Sequence, residues 1–263
     1  IVAMRGCQTA PHKPCDEITI PAAQPAEKSE PAVITSTGSR KLKVLNICTL
    51  DHGGAGIAAY RLHKGLQAAG ADSRMLVFDK TIQDGSIITA REYSGTPWKD
   101  IWRRWVRFME SCPNRPKGLE IFSDFEGDID FDSIKDVQEA DILNFHWMAG
   151  MLGLTRRPAA FRNKPVVWTL HDMNPFTGGC HYCGKCDKYT SRCTRCFQLG
   201  DEQTDMAAAI WEGKKRLYDD MNITVVTPSQ WLGLCAGRSS LFSNRRIEVI
   251  ANGVPLDTFN VLP

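Results

Sequence analysis

From Lys41 onward, short apolar runs alternate with amphipathic stretches in the rhythm of a parallel α/β sheet. Leu42–Leu50 is an apolar run with β-branched members, closed by Asp51-His52-Gly53-Gly54. That pattern predicts a strand buried on both faces, running into a tight glycine turn. Ile57–Ala69 then reads as a helix stopped by Gly70, and Arg74–Phe78 as a second strand. Further strands are predicted at Asp141–Phe145, Pro165–Leu170, Ile223–Thr227 and Arg246–Ile250. A helix over Asp201–Tyr218 and a short one from Ser229 separate the later strands, with Pro228-Ser229 fitting a strand exit and helix cap. Strand, glycine loop, helix, strand is the opening of a Rossmann-like sheet, so the expected fold class is α/β, a mostly parallel sheet flanked by helices.

Two regions break this rhythm. Residues 1–40 mix Pro, Ala, Glu, Lys, Ser and Thr without sustained period and are expected to be a disordered leader; its Cys7, His12 and Cys15 are a weak metal-binding candidate. The long segment between the second strand and Asp141 is irregular apart from one helix, Trp98–Met109. Trp98, Trp102, Trp105 and Met109 fall on one face, and Lys99, Arg103, Arg104 and Arg107 fill the rest. Such a helix suits peripheral contact with an acidic membrane surface; alternatively it docks its tryptophans on the sheet and leaves its arginines in water.

Composition narrows the classes. The 263 residues carry 32 Lys and Arg against 30 Asp and Glu, a net charge of +2, which gives no electrostatic case for nucleic acid as a partner. No apolar run approaches the roughly 20 residues that span a bilayer, and no secretory h-region opens the chain. Half of the 10 cysteines crowd into one knuckle, Cys180, Cys183, Cys186, Cys193 and Cys196, while Cys48 and Cys235 read as buried thiols. A cytoplasmic, metal-stapled protein is the expectation, against a disulfide-bonded, an iron–sulfur or a plain free-thiol reading.

Three groups of residues carry candidate chemistry. Gly53-Gly54-Ala55-Gly56 stands between strand and helix, where glycines admit a ligand to the backbone and a helix N-terminus offers unpaired N–H groups to a phosphate or diphosphate. The same stretch, as Gly54-x-Gly56-x-x-Ala59 with Asp79 after the second strand, also fits a dinucleotide fingerprint and an NAD-dependent oxidoreductase. His146 and His171 end predicted parallel strands, where both would point into the sheet's crevice, and Asp172 with Thr177-Gly178-Gly179 crowds the loop after His171. In the knuckle, Cys193-x-x-Cys196 supplies one thiolate pair for a structural Zn2+, and the second pair must come from Cys180, Cys183, Cys186 and His181.

Taken in order, Asp51-His52-Gly53-Gly54-Ala55-Gly56, then Asp141 through Trp147, then Val167 through Tyr182 resemble the family-four, GT-B-fold glycosyltransferases, in the cysteine-containing branch associated with colanic-acid-like and other surface polysaccharides. Thr227-Pro228-Ser229-Gln230-Trp231-Leu232 and Val249 through Val254 agree with later landmarks of that family. The resemblance covers Lys41 to the end and implies transfer of a sugar from a nucleotide-sugar donor with retention of configuration. It implies a hexosyltransferase-type enzyme acting on a saccharide or lipid-linked acceptor; peripheral contact with the inner face of the membrane is the expectation that helix 98–109 adds. It matches Gly53 and Gly54 to the loop nearest the donor diphosphate, His171 to a donor-sugar contact, and Cys180, Cys186, Cys193 and Cys196 to four recurring cysteines. On this reading residues 41–253 are the acceptor-side lobe. Residues 254–263 begin the crossover to a missing C-terminal lobe, without which the fragment is expected to be inactive. A zinc-stapled, non-catalytic binding module is the alternative of a different class.

Overall fold

The computed structural model describes residues 40–124, 126–200, 205–255 and 259. The expected leader lies, Arg40 apart, outside the described residues, and so do Cys7, His12, Cys15 and the first four residues of the helix expected from Asp201.

Among the described residues seven strands form one parallel sheet: β1 Lys43–Leu50, β2 Asp72–Asp79, β3 Ile87–Thr89, β4 Ile142–Phe145, β5 Pro165–Thr169, β6 Asn222–Thr227 and β7 Arg246–Val249. Their order is β3-β2-β1-β4-β5-β6-β7. The chain builds outward from β1 to β3, crosses back to lay β4 against the free side of β1, and builds outward again. That reversal between β1 and β4 makes a crevice at the carboxyl ends of the strands, where open α/β sheets bind ligands. The helices are α1 Gly53–Ala68, α2 Trp98–Glu110, α3 Lys135–Glu139, α4 Ala159–Asn163, α5 Met206–Asp219 and α6 Gln230–Arg238.

The Rossmann-like α/β expectation therefore holds. The short β3, α3 and α4 had no period long enough to read. One boundary moves in a way that matters. α1 begins at Gly53, four residues before the expected start, so the glycines form the helix's first turn. The low helix propensity of glycine hid this, yet first-turn N–H groups make no intrahelical bond and the usual penalty weighs least there.

β1 is buried over six consecutive residues, as a central parallel strand requires. One sheet face carries the main core, where Trp168 of β5 meets Phe145, Tyr218 and Phe242 edge-on at 5.2–6.2 Å. The other face, beneath α1, is smaller: Cys48, Ala59, Met75, Val77 and Ile87. It is interrupted by buried Asn46, His63, Ser73 and Asn144. The irregular segment before β4 folds over the carboxyl edge of the sheet and reaches the cysteine knuckle through a bridge between Phe122 and Cys180.

α2 forms nearly as expected, but its inward face differs. Ile101 is buried, Trp105 donates its indole N–H to the Phe122 carbonyl at 2.9 Å, and Phe108 packs on the core. Trp102, placed by periodicity on the apolar face, is 55% exposed and stacks on Trp105 at 4.9 Å. Heptad-like spacing marks a stripe; which edge of it turns outward depends on the surface beneath.

Candidate functional site

Residues from four segments surround a cavity of about 330 Å³ at the switch point: the first turn of α1, Trp147 after β4, His171 and Asp172 after β5, and His181 and Tyr182 of the knuckle, with Glu120 and Ile121 closing one side. Gly53, Gly54 and Gly56 all line it. Gly53 adopts φ 69°, and a Cβ on Gly54 would meet no protein atom within 4 Å. Gly56 is different: a Cβ there would lie 2.6 Å from the Leu50 carbonyl, so this glycine lets α1 start hard against the end of β1. No side chain caps α1, leaving its first N–H groups and the positive end of its dipole facing the cavity.

The turn before α1 is held by Asp51, which is fully buried. Its carboxylate accepts from the N–H of Thr81 at 2.6 Å, the Thr81 hydroxyl at 2.8 Å and the N–H of Ile82 at 2.7 Å. Burial works against its charge, yet the donors from Ile82 and Thr81 prevail and hold the carboxyl below its ordinary range. A depressed carboxylate stabilises the fold above its unfolded value and loses that contribution as pH falls through the folded one. Asp51→Asn is therefore expected to destabilise by about 2–3 kcal/mol at neutral pH, with the gap to the parent closing below about pH 4; denaturant titrations at both pH values measure it.

His171 and His146 are brought together. The His146 Nδ1 lies 3.0 Å from the His171 Nε2, with the rings stacked at 5.3 Å. His146 is 2% exposed and does not line the cavity, so it stands behind His171. Burial drives the His146 pKa well below the ordinary value, with His171 adding to the effect. Burial also lowers His171, partly opposed by Asp172. Both rings are neutral at physiological pH.

Asp172 points one oxygen at His181 Nδ1, 2.7 Å away, and accepts the Asn174 N–H on the other at 2.8 Å. The second His181 nitrogen meets the Ser123 hydroxyl at 2.8 Å. With both nitrogens engaged, His181 is removed from the list of metal-ligand candidates; it joins the knuckle to the cavity wall instead. Asp79, the ribose-binding candidate of the dinucleotide reading, is ion-paired with Arg91.

In the knuckle none of the described cysteines is disulfide-bonded. Cys180 and Cys196 share a hydrogen bond, which draws the Cys196 thiol down to about 7, while burial pushes Cys193 up to about 12. Cys186 and Cys193 interact electrostatically with Cys196 and with each other. Cys183 donates instead to the Gly184 carbonyl at 3.4 Å. The thiols surround a cavity of about 20 Å³, room for one water-sized species. Among the described residues no three Cys, His, Asp or Glu side chains stand close enough to hold a metal as they are. The donor chemistry, five soft thiols around one small cavity of which a tetrahedral site needs four, nonetheless fits zinc. Below the knuckle, buried Lys214 donates to the Thr177 carbonyl at 2.9 Å and pins the turn after Asp172.

A second cavity of about 200 Å³ adjoins the first, sharing Leu50, Ile121 and Trp147 with it. Ile101, Trp102 and Trp105 of α2 line it, together with Arg104, Asp124 and Glu126. Neither Trp147 nor Asp124 was singled out as a site residue in the sequence, because no spacing rule ties them to the glycine turn. Asn46 and Asn144 were also missed, although a lone amide inside each of Leu45-Asn46-Ile47 and Leu143-Asn144-Phe145 was a readable signal.

Compared with known proteins, the chain is 29% identical over 131 residues to an Escherichia coli (strain K12) protein named as a candidate colanic acid biosynthesis glycosyl transferase, WcaC. The match supports a glycosyltransferase relationship. It takes in 46% of this chain and 32% of WcaC, so it spans about a third of the length of that relative. No family model matches the chain. No helix among the described residues is long and apolar enough to cross a membrane.

Proposed function

We propose that this chain is the acceptor-side lobe of a GT-B glycosyltransferase of the family-four, cysteine-containing type, moving a sugar from a nucleotide-sugar donor with retention of configuration. The observation that carries this reading is the convergence of an uncapped, glycine-lined helix start, His171 and Asp172 on one cavity at the switch point. The N–H groups of Gly53 and Gly54 stabilise the leaving diphosphate, and His171 holds a hydroxyl of the donor sugar. Of the two carboxylates that line the cavity, Asp172 is engaged by His181 and the Asn174 N–H, and attack from the face of the departing diphosphate suits the site better than a double displacement. A C-terminal lobe contributes the nucleotide pocket.

The adjoining tryptophan-lined cavity takes the acceptor, a saccharide or the head of a lipid-linked saccharide, with Trp102 and Trp105 as a stacking platform and Asp124 and Glu126 as hydroxyl acceptors. The exposed Lys99, Trp102, Arg103 and Arg107 of α2 suit contact with an anionic membrane surface at its cytoplasmic face. Cys180, Cys186, Cys193 and Cys196 hold one structural zinc.

The test is an assay of the full-length polypeptide with a panel of nucleotide sugars and oligosaccharide or polyprenyl-linked acceptors. The readouts are nucleoside diphosphate release and the anomeric configuration of the product by NMR. Release without any acceptor-dependent product, or tight binding of a nicotinamide dinucleotide, would overturn the proposal. Trp102→Ala should raise the acceptor KM about tenfold with little change in donor KM or thermal stability, since the ring is largely exposed in the free protein.

A further inference from the structure

Beneath α1 the buried polar side chains form one unbroken run across the sheet. It starts at Asp84, whose carboxylate accepts from the Ser86 hydroxyl. Ser86 Oγ lies 2.8 Å from His63 Nε2, and His63 Nδ1 lies 2.9 Å from Ser73 Oγ. Asn46 Nδ2 reaches Ser73 Oγ at 3.0 Å, and Asn144 Nδ2 reaches Asn46 Oδ1 at 3.0 Å. Asn144 Nδ2 also lies 3.2 Å from His146 Nε2, and His146 Nδ1 leads to His171 at 3.0 Å. Asn46 and Asn144 are register partners on β1 and β4, which is why their amides meet.

The direction of every hydrogen bond in this run is fixed from two independent ends. An ionised carboxylate only accepts, and Asp84 is held ionised by donors from Ser86, with Lys64 and Tyr60 adding to them. The single hydroxyl proton of Ser86 is thus spent on Asp84, so Ser86 Oγ must accept from His63 Nε2–H. Burial holds His63 neutral, down to about 4, so its Nδ1 bears a lone pair and must accept the Ser73 hydroxyl proton. Ser73 Oγ must then accept from the Asn46 amide nitrogen.

The second end is the backbone carbonyl of Arg74, 3.2 Å from the same Asn46 Nδ2. Turning the Asn46 amide over would set two acceptor oxygens against each other there. Both ends therefore give Asn46 Oδ1 facing Asn144, and Asn144 must answer with its NH2. Its Oδ1 takes the Thr169 hydroxyl at 3.0 Å, leaving the same NH2 toward His146 Nε2. His146 Nε2 accepts, its proton sits on Nδ1, and that N–H donates to His171 Nε2.

We infer that this run locks His171 as the neutral imidazole protonated on Nδ1, so that it offers the cavity an N–H donor and not a basic lone pair, with Asn144 and His146 as positioning residues. His171 Nδ1 has no hydrogen-bond partner among the described residues, and the ring lines the cavity. A group so fixed binds a hydroxyl or phosphate oxygen and cannot serve as a general base through that nitrogen. That His171 meets a donor sugar rests on the proposed function; its tautomer does not.

Long-range 1H–15N NMR of protein labelled on histidine nitrogens reads the tautomers without any activity assay. In the parent, His146 and His171 should each show a protonated Nδ1 and a lone-pair Nε2, while His63 shows the reverse. His171 with its proton on Nε2, or charged at neutral pH, would overturn the inference whether or not sugar transfer is ever detected. Asn144→Asp replaces the donor by an acceptor, so the His146 Nε2 signal should become that of a protonated nitrogen. In the full-length enzyme its kcat should fall about tenfold or more with acceptor KM unchanged. An unaltered His146 spectrum in folded Asn144→Asp protein would equally refute the relay, and the parent spectrum decides the matter if that variant does not fold.

Discussion

Full-length protein carrying Gly54→Leu is expected to lose sugar transfer by at least about a hundredfold while unfolding at the same temperature as the parent. The two halves of that statement come from one geometry. A Cβ on Gly54 meets nothing in the protein, so a leucine there strains no contact of the fold. The space it enters belongs to the cavity in front of the uncapped start of α1, where we place the diphosphate. Blocking the approach of that group to the helix N–H donors removes stabilisation of the kind that, donor by donor, is worth about 10²–10³ in rate. Gly56→Ala supplies the contrast. Its Cβ would lie 2.6 Å from the Leu50 carbonyl and 2.7 Å from the Asp51 carbonyl carbon, backbone atoms that cannot swing aside. The expected result is a loss of about 1–3 kcal/mol in stability, read by thermal or denaturant unfolding. Unimpaired transfer by Gly54→Leu would remove the first turn of α1 from the reaction, and a Gly54→Leu protein as unstable as Gly56→Ala would mean that both glycines serve packing alone.

The fold was legible because its signal is long and redundant. β1, β4, β5 and β6 are predominantly apolar runs bounded by polar turns, and a parallel sheet buried on both faces leaves that record in a sequence. The positions of His171, Asp172 and the glycines followed from strand ends, since the switch-point rule turns a place in the sequence into a place in space. What stayed hidden depends on long-range register. Asn46 and Asn144 are 98 positions apart and become neighbours only through β1–β4 pairing, and His63 enters the same run from a helix face that reads as ordinary amphipathic sequence. His146 stands at the strand end the sequence marks but one layer behind the cavity, because sequence gives the strand end and not the depth behind it. The tryptophan-lined cavity was invisible for a related reason: its walls come chiefly from α2, from Ile121, Ser123, Asp124 and Glu126, and from the exit of β4. Only tertiary packing joins those three.

Cys193→Ser is expected to have the largest effect on stability outside the apolar core. Its thiol takes a hydrogen bond from the Gly178 N–H, and Gly178 is wedged so tightly that an added Cβ would fall 2.5 Å from the Ala207 carbonyl of α5. The knuckle has no strand or α-helix of its own to offset the entropy of ordering it, and the zinc we propose would supply that order by cross-linking. Structural zinc sites contribute about 10–16 kcal/mol of binding free energy in small peptides, and removing one of four thiolates forfeits a substantial part of it. For a chain of this size a loss of about 4 kcal/mol lowers Tm by roughly 10 °C. Parent protein purified without chelator should carry about one zinc per chain by elemental analysis, and Cys193→Ser under about a tenth of that. Cys183→Ser should retain the metal, because Cys183 turns its thiol to the Gly184 carbonyl. The consequence reaches the cavity: Asp172, His181 and Ser123 are chained together at the knuckle's inner edge, so loosening it frees one wall of the site. Donor binding should weaken in Cys193→Ser even below its melting temperature. A metal-free parent whose Tm is matched by Cys193→Ser within about 2 °C would show that the thiols pack as ordinary buried side chains and that the knuckle owes its order to Gly178, Lys214 and the bridge to Phe122.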